Sequence, residues 1–400
     1  MKKNLSVFFI VLAFIISCSV FFGYTLVNRA FAEEYKTESI TQNLELKSKS
    51  AMLLDADSMT VLYSYNENDC HPIASMCKIM TLLLSFESID NGDFSLDDTV
   101  TVSENAASMG GSQVFLEANA EYKVSDLIKS ITVASANDAC VAMAELISGS
   151  ESAFVDKMNE KAREIDMNNT VFSNCTGLPK PDQHSCAKDV ATMFSALIKH
   201  TDYFEFSKIW MDEISHPKGR TTEISNTNKL IRFYQGCDGG KTGYTSEAGH
   251  CLCASAIRNG LRLISVVISA PDSKTRFKEV SGLFDFGFSN YENKFILSAN
   301  EPLTYFANVK GGKNKTVSVA SEYDVKVLSR KNEKRDFEIN FIPNNNVIAP
   351  ITKGERVGVI EVYENGVLCG SSPVIAVTDV AERSYLDSIF DVIYKWSIVA

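Results

Sequence analysis

A lysine stands inside an almost uniformly apolar helical segment of this chain. In "PIASMCKIMTLLLSFE", residues 72–87, Ser75 and Lys78 are three positions apart, so a helix would place them on one face. The apolar residues around them indicate a buried helix, where an unpaired ammonium costs free energy. Lys78 therefore either snorkels to the surface at a helix start or has a chemical role.

The rest of the composition is that of an ordinary globular protein. The chain has 400 residues, of which 45% are hydrophobic and 22% charged, and this length suggests about two or three domains. Its net charge of −11 argues against nucleic acid as a partner.

Residues 1–32 have the order of a secretory signal peptide. Two lysines precede a long apolar run, which ends in Ala30-Phe31-Ala32, an A-x-A site with cleavage expected after Ala32. An uncleaved membrane anchor is one alternative, because the apolar run is long, and a lipoprotein site at Cys18 is another. In each case we expect the protein to be exported and extracytoplasmic.

The cysteines and histidines do not form a recognisable metal site. Nine of the ten cysteines remain after cleavage, and an odd number cannot all pair within one chain. Cys140 lies in a helical pattern, and Cys251 and Cys253 occupy alternate strand positions, where small apolar residues fit. The five histidines lack H-E-x-x-H spacing. We expect mostly reduced core thiols, no metal and no other cofactor.

Helical and strand patterns alternate along residues 50–291. Two short strands are predicted in residues 50–68, then a helix from Ser75 to about Asn91-Gly92, and further helices up to residue 200. After Tyr234 the pattern changes to strands with a hairpin turn at Asn259-Gly260, and a last helix follows. This order predicts an α+β domain whose sheet joins both ends of the region, with a helical cluster between.

The C-terminal quarter differs in pattern. Short strand-like segments predict a small all-β domain at residues 295–379. Residues 380–400 predict an amphipathic helix, too short to span a bilayer, whose apolar face needs a membrane surface or docks on its own domain. The residues on that face are Tyr385, Leu386, Ile389, Phe390, Ile393 and Trp396.

Two further motifs follow Ser75 and Lys78. Ser135-Ala136-Asn137 lies 60 residues after Ser75, at a predicted break between helices, and Lys241-Thr242-Gly243 lies another 106 residues on, in a predicted strand. Ser64-Tyr65-Asn66 also has the S-x-N pattern, so this tripeptide alone means little. The ordered triplet S-x-x-K, S-x-N, K-T-G is known from penicillin-binding proteins and class A β-lactamases.

These residue types suit nucleophilic catalysis by serine. The hydroxyl of Ser75 attacks only when a base takes its proton, and Lys78 can be that base if burial and a nearby cation lower its pKa. Ser135 and Asn137 can relay a proton and hold a substrate amide.

The residues of the K-T-G strand suit the binding of a substrate carboxylate and of the oxyanion. Lys241 supplies the second cation and, with the Thr242 hydroxyl, suits a substrate carboxylate. Gly243 lets the backbone approach closely, and the N–H groups of Ser75 and Tyr244 would form an oxyanion hole.

Longer segments extend the similarity to a known family. Residues 110–139, 154–178 and 238–256, which include "SANDACVAMAE" in part and "DGGKTGYTSEAGHCLCASA" in full, resemble low-molecular-mass D-alanyl-D-alanine carboxypeptidases. These are serine penicillin-binding proteins of the S11 peptidase type. The small β domain and amphipathic C-terminus match the layout of that family, so the resemblance covers about residues 35–400.

The resemblance implies a fold and a reaction. The fold would be a β-lactamase/transpeptidase-like catalytic domain at residues 33–294, then the all-β domain and the C-terminal helix. The reaction would remove the terminal D-alanine of peptidoglycan pentapeptide stems through an acyl-enzyme on Ser75, and β-lactams would acylate Ser75.

Site roles follow from the motif positions. Lys78 would be the general base and Ser135 a catalytic residue, while the substrate would be bound by Asn137, Lys241, Thr242, Gly243 and Tyr244. The C-terminal helix would hold the enzyme on the outer face of the cytoplasmic membrane.

Two positions depart from the family pattern. Cys77 stands where threonine is common, and we expect it to affect packing rather than activity. The C-terminal segment lacks a basic face, so we expect weak attraction to anionic lipid and anchoring mainly by apolar burial. Its charged residues are Glu382, Arg383, Asp387, Asp391 and Lys395.

Two other functions stay open at this point. A β-lactamase needs a glutamate to activate water, and Glu164 with Asn168 gives a class A-like E-x-x-x-N spacing, although a solvated helix position also explains Glu164. A non-catalytic penicillin or muropeptide sensor would stay acylated. Rapid penicillin turnover would indicate the first and a stable adduct without peptide cleavage the second.

Overall fold

The computed structural model describes residues 44–385 and Ile389. The signal peptide expected at residues 1–32 and most of the helix expected at residues 380–400 lie outside the described residues. Within the described ranges, no helix is long and apolar enough to cross a membrane.

A five-stranded antiparallel sheet forms the centre of the first domain. The strand order is β2-β1-β9-β8-β7. The first strand, β1, therefore lies between β2, which follows it in the sequence, and β9, which comes from the end of the domain. Ser50 of β1 is opposite Ile268 of β9. The predicted α+β arrangement is confirmed. The strands are β1 Ser50–Asp55, β2 Val61–Tyr65, β7 Cys237–Thr245, β8 Gly249–Arg258 and β9 Leu261–Ala270.

Helices form the layers on both sides of this sheet. Most of them lie between β2 and β7 in the sequence, as predicted, and α9 follows β9. Their bounds are α1 Lys78–Asp90, α2 Glu104–Ala107, α3 Val124–Lys129, α4 Asn137–Ser148, α5 Glu151–Glu164, α6 Ala187–Leu197, α7 Tyr203–Ser207, α8 Leu230–Phe233 and α9 Ser273–Asn290.

The sheet is buried on both faces because alternate side chains of a strand point in opposite directions. On β1, Met52 and Leu54 pack with the helical cluster, whereas Ala51 and Leu53 pack against the side of α9. This explains the nearly continuous apolar sequence of β1, and it gives α1 and β7 a rigid common support.

The helix predicted from Ser75 begins differently from the expectation. Ala74–Cys77 form a 3₁₀ turn, and the α-helix proper starts at Lys78 and ends at Asp90, just before Gly92 with φ +79°. Two short strand pairs were not predicted, because each strand is too short for alternation to show. They are β3 Thr99–Thr101 with β4 Glu121–Lys123, and β5 Met211–Ser215 with β6 Thr221–Ser225.

The second domain is all-β, as predicted. Its five-stranded sheet has the order β11-β12-β16-β15-β14, and β10 pairs with β13 beside it. A turn at Asn365-Gly366 joins β15 to β16. The strands are β10 Tyr291–Leu297, β11 Pro302–Asn308, β12 Thr316–Ser321, β13 Val325–Arg330, β14 Glu338–Pro343, β15 Arg356–Glu364 and β16 Val367–Ala376.

A core substitution under the sheet tests this packing. Phe284 of α9 is fully buried in the cluster that includes β1, β8 and β9. We expect Phe284→Ala to lower the free energy of unfolding by roughly 3–5 kcal/mol, because a cavity remains where the ring was. Phe233→Ala, at a ring 70% exposed, should cost under about 1 kcal/mol. Denaturant unfolding of both variants measures the difference, and equal losses would contradict the packing.

Candidate active site

Ser75 lies on a tight turn that two glycines allow to pack closely. The preceding residue, Ala74, has a φ of +48°, so the chain bends sharply before the serine. A Cβ on Gly243 would lie 2.5 Å from the carbonyl oxygen of Ile73, and one on Gly177 would lie 2.1 Å from that of Ala74. Backbone therefore holds this turn on both sides.

Lys78 projects from the first turn of α1 towards the serine. Its Nζ lies 3.1 Å from Ser75 Oγ and also donates a hydrogen bond to the carbonyl oxygen of Thr176. The residue is completely buried, and this desolvation lowers the pKa of Lys78, although the buried thiols and Asp138 nearby act in the opposite direction. A buried amine beside a hydroxyl can act as a base towards it.

Ser135 occupies a left-handed backbone position after a π-helical turn, residues Ser130–Ala134. The predicted break between helices is thus confirmed, and the bend directs Ser135 towards the sheet. Lys241 Nζ donates to Ser135 Oγ at 2.8 Å and to the carbonyl oxygen of Thr242 at 3.2 Å.

Lys241 is buried as deeply as Lys78. Burial is the main cause that moves the pKa of Lys241 well below its ordinary value, followed by the charges of Lys78 and Arg276. Mutual repulsion of two buried ammonium groups disfavours the state in which both are charged. The structure thus brings the S-x-x-K, S-x-N and K-T-G motifs to one place.

Asn137 begins α4 and holds a neighbouring loop. Its backbone N–H donates to the carbonyl oxygen of Ser112, and its Nδ2 donates to that of Gly110, both at 2.7 Å. The next residue, Asp138, is fully buried and accepts hydrogen bonds from the N–H groups of Val114 and Leu116. Hydrogen bonds therefore join the loop of residues 110–116 to the S-x-N motif and the start of α4.

The remaining predicted residues lie on β7. Thr242 is 6% exposed, and Gly243 contacts the Ser75 turn. Tyr244 is 60% exposed and its ring stacks on His250, with 4.3 Å between the ring centroids. Tyr244 is therefore the predicted site residue most open to solvent.

Two parts of the site were missed by the sequence reasoning. Arg276 of α9 donates from its Nη1 to the carbonyl oxygens of Gly243 and Cys251, and burial lowers its pKa to about 10. Thr176 supplies the carbonyl contacted by Lys78, and Asn174 Oδ1 accepts from the N–H of Gly177 to fix that loop. Arg276, Thr176 and Asn174 belong to none of the three motifs, because they act through tertiary contacts.

Cysteines surround the lysine at the start of α1. Cys77 donates from Sγ to the carbonyl oxygen of Asn174 at 3.2 Å, and Cys140 donates to that of Cys175 at 3.0 Å. The nine cysteines of residues 44–385 are all free thiols, as expected. Cys77 thus takes part in holding the Asn174–Thr176 loop.

Glu164 occupies the solvated helix position. Its side chain is 63% exposed at the end of α5 and forms an ion pair with Lys161. A carboxylate placed in this way is not positioned to activate a water molecule inside a buried site.

Comparison with known proteins agrees with this geometry. The model of the D-alanyl-D-alanine carboxypeptidase family, peptidase S11, matches residues 36–272. The chain belongs to this family. A second model, for the C-terminal domain of penicillin-binding protein 5, matches residues 291–382.

Individual related proteins align with most of this chain. It is 40% identical over 358 residues to D-alanyl-D-alanine carboxypeptidase DacF of Bacillus subtilis, covering 89% of this chain and 92% of DacF. The structure of the peptidoglycan synthesis regulatory factor PBP3 from Streptococcus pneumoniae superposes with a TM-score of 0.71 at 26% identity, covering 84% of this chain and 99% of PBP3.

A third relative was solved with an antibiotic bound. Penicillin-binding protein D2 from Listeria monocytogenes, in its ampicillin-bound form, has a TM-score of 0.53 at 31% identity, covering 62% of this chain and 99% of that one. Together these similarities confirm the predicted fold, a transpeptidase-like catalytic domain followed by an all-β domain.

Substitution of one glycine tests how tightly the motifs pack. In Gly243→Ala the new Cβ meets backbone at 2.5 Å, so either β7 or the Ser75 turn must shift. We expect the rate of acylation by fluorescent penicillin to fall by roughly 10²-fold, because a shift of about 1 Å misplaces the reacting groups. Gly282→Ala, where a Cβ meets nothing within 4 Å, is the control. Unchanged acylation in Gly243→Ala would mean that the close approach is unimportant.

Proposed function

We propose that this protein is a serine-type D-alanyl-D-alanine carboxypeptidase that removes the terminal D-alanine from peptidoglycan pentapeptide stems. The observation that carries the proposal is the fully buried Lys78, with Nζ 3.1 Å from Ser75 Oγ, in a chain of the S11 family. Desolvation lowers the pKa of such an amine and so favours its neutral form, which is the form that can accept a proton.

The first half of the reaction forms an acyl-enzyme. Ser75 Oγ attacks the carbonyl carbon of the penultimate D-alanine while Lys78 takes the hydroxyl proton. The N–H groups of Ser75 and Tyr244 stabilise the oxyanion that forms. The C–N bond then breaks, and the departing D-alanine amine receives a proton through Ser135.

The second half regenerates the enzyme. Water attacks the ester on Ser75, its proton passes to Lys78, and the shortened stem leaves with a new carboxylate while Ser75 regains its proton. Two hydrogen-bonded pairs, Lys78 with Ser75 and Lys241 with Ser135, hold the groups that move protons between attack and departure.

Recognition of the terminal carboxylate falls to cationic and hydroxyl groups on β7. Lys241 and Thr242 bind this carboxylate, whose negative charge in turn favours the charged form of Lys241. Gly243 allows β7 to lie close to the Ser75 turn, and Arg276 donates a hydrogen bond to the carbonyl oxygen of Gly243. Asn137 holds the substrate amide from the opposite side.

β-Lactams are the second class of molecule that we expect to acylate Ser75. They present a reactive amide carbonyl and a carboxylate to the same groups. The ampicillin-bound form of the Listeria relative supports this. A β-lactamase is the less favoured function, because Glu164 is exposed and paired with Lys161.

Export and membrane attachment belong to the same proposal. We assign residues 1–32 to a signal peptide, 33–294 to the catalytic domain and 295–379 to the β domain. The amphipathic pattern of residues 380–400 supports attachment to the outer face of the cytoplasmic membrane. The proposed reaction acts on the cell wall, which lies outside the cytoplasm, so the enzyme must be exported to reach its substrate.

Release of D-alanine tests the proposed activity. Protein lacking residues 1–32 is incubated with diacyl-Lys-D-Ala-D-Ala beside its Ser75→Ala variant, and free D-alanine is quantified. We expect release by the first and none above background by the second, because no other described group replaces the nucleophile. Ser85→Ala, a buried serine of α1, is the matched control and should keep its activity.

Penicillin binding separates the alternatives. Stable acylation of Ser75 without any D-alanine release would contradict the carboxypeptidase and indicate a sensor. Rapid penicillin hydrolysis without D-alanine release would indicate a β-lactamase. Release that persists in Ser75→Ala would remove Ser75 from the mechanism.

A further inference from the structure

A lysine-rich loop joins β11 to β12 in the second domain. Its sequence, KGGKNK at residues 310–315, places Lys310, Lys313 and Lys315 within six positions, and all three residues are exposed. We call residues 310–315 the basic loop. The active site is in the other domain, and the proposed reaction gives these lysines no role.

The basic loop lies where the chain leaves the β domain. The N–H of Lys313 donates to the carbonyl oxygen of Ala381 at 2.9 Å, and the N–H of Arg383 donates to that of Gly311 at 2.8 Å. Gly312 and Glu382 form an antiparallel bridge between these bonds. The start of the C-terminal segment is therefore fastened to this loop by backbone.

Apolar side chains are exposed beside the lysines. Ile348 pairs with Lys310 in a parallel bridge and is 56% exposed. Tyr385, two residues after the last of these backbone bonds, is 83% exposed. The remaining residues of the predicted apolar face follow directly in the sequence. Cations and apolar groups thus occur together at one end of the domain.

Two carboxylates near the basic loop accept hydrogen bonds from backbone. Asp379 accepts from the backbone N–H of Lys353, and Glu355 accepts from that of Thr352, so both side chains are turned towards backbone. Glu382 is exposed beside the loop. Lys310 donates from its Nζ to Asn346 Oδ1 at 2.9 Å and is still exposed.

We propose that the basic loop binds the phosphate headgroups of an anionic bilayer while the C-terminal segment inserts its apolar face. This proposal rests on the membrane attachment in the proposed function, and it adds an electrostatic contribution from the β domain to the apolar burial of the C-terminal segment. The sequence of the C-terminal segment alone predicts weak attraction to anionic lipid, whereas the fold adds three lysines at the point where the segment starts. Lysines near an apolar insertion are favoured at the headgroup level.

The expected contribution is measurable. A lysine close to an anionic membrane strengthens binding by about five-fold, and this effect weakens with salt because the charges are solvent-exposed. Removing three such charges should therefore raise the dissociation constant by roughly ten- to a hundred-fold at low ionic strength.

Vesicle binding of the full mature chain tests the proposal. Protein comprising residues 33–400 and its K310Q/K313Q/K315Q variant are sedimented with phosphatidylcholine vesicles and with vesicles that also contain phosphatidylglycerol. We expect tighter binding of the unmodified chain to the anionic vesicles, and loss of that preference in the variant. K310R/K313R/K315R should keep it, because only the charge is needed.

A second triple variant controls for net charge. K188Q/K199Q/K278Q removes the same charge from exposed lysines of the catalytic domain and should bind like the unmodified chain. D-alanine release is measured on every sample, so that failure of the catalytic proposal is seen separately. Thermal unfolding shows that each variant is folded.

Other outcomes overturn the proposal. Equal binding to both kinds of vesicle, unchanged in K310Q/K313Q/K315Q, would leave anchoring to the C-terminal segment alone. No binding to any vesicle would remove membrane attachment altogether. If the lysines instead bind a soluble glycerol phosphate polymer without preferring anionic vesicles, their partner is that polymer and not the bilayer.

Discussion

The removal of two lysine ammonium groups from water, each beside a serine hydroxyl, is the constraint on which this structure depends. Burial moves the pKa of both Lys78 and Lys241 down, and the charge of Lys78 adds to the effect on Lys241. This costs folding free energy, because an unfolded lysine keeps its charge in water. The domain must therefore hold the pair with contacts that compensate for this cost, and the site is built from the same contacts.

Those contacts come from distant parts of the chain. α1 supplies Lys78, β7 supplies Lys241, and the sheet under both is apolar on its two faces. The carbonyl oxygen of Thr176 accepts a hydrogen bond from Lys78, and Ser135, whose backbone is left-handed, accepts one from Lys241. The geometry of the proposed active site and the packing of the core thus depend on the same contacts. A shift of the Ser75 turn would alter the environment of Lys78, the proposed base, as well as the position of Ser75, the proposed nucleophile.

The sequence predicted the order of elements and the motifs, because these depend on local pattern and spacing. It could not predict which carbonyl accepts from Lys78, nor that Arg276 contacts β7, since both are tertiary contacts without a motif. The short strands of the β5–β6 hairpin carry too little alternation to be recognised. We expected weak lipid attraction for residues 380–400 because only the charges of that segment were counted. In the folded protein, Lys313 of the basic loop is hydrogen-bonded to Ala381 at the start of the segment.

Titration of Lys78 measures how far burial disfavours its charged form. Lysine side chains labelled with carbon-13 at Cε are followed by NMR as pH is varied, in protein lacking residues 1–32, and the Lys78 signal is assigned by its loss in Lys78→Arg. A buried Lys78 should give a midpoint below the ordinary value of 10.5, and penicillin acylation should slow as pH falls through the same midpoint and protonates the proposed base. A Lys78 that stays charged up to 10.5 or higher, while acylation proceeds at neutral pH, would contradict it.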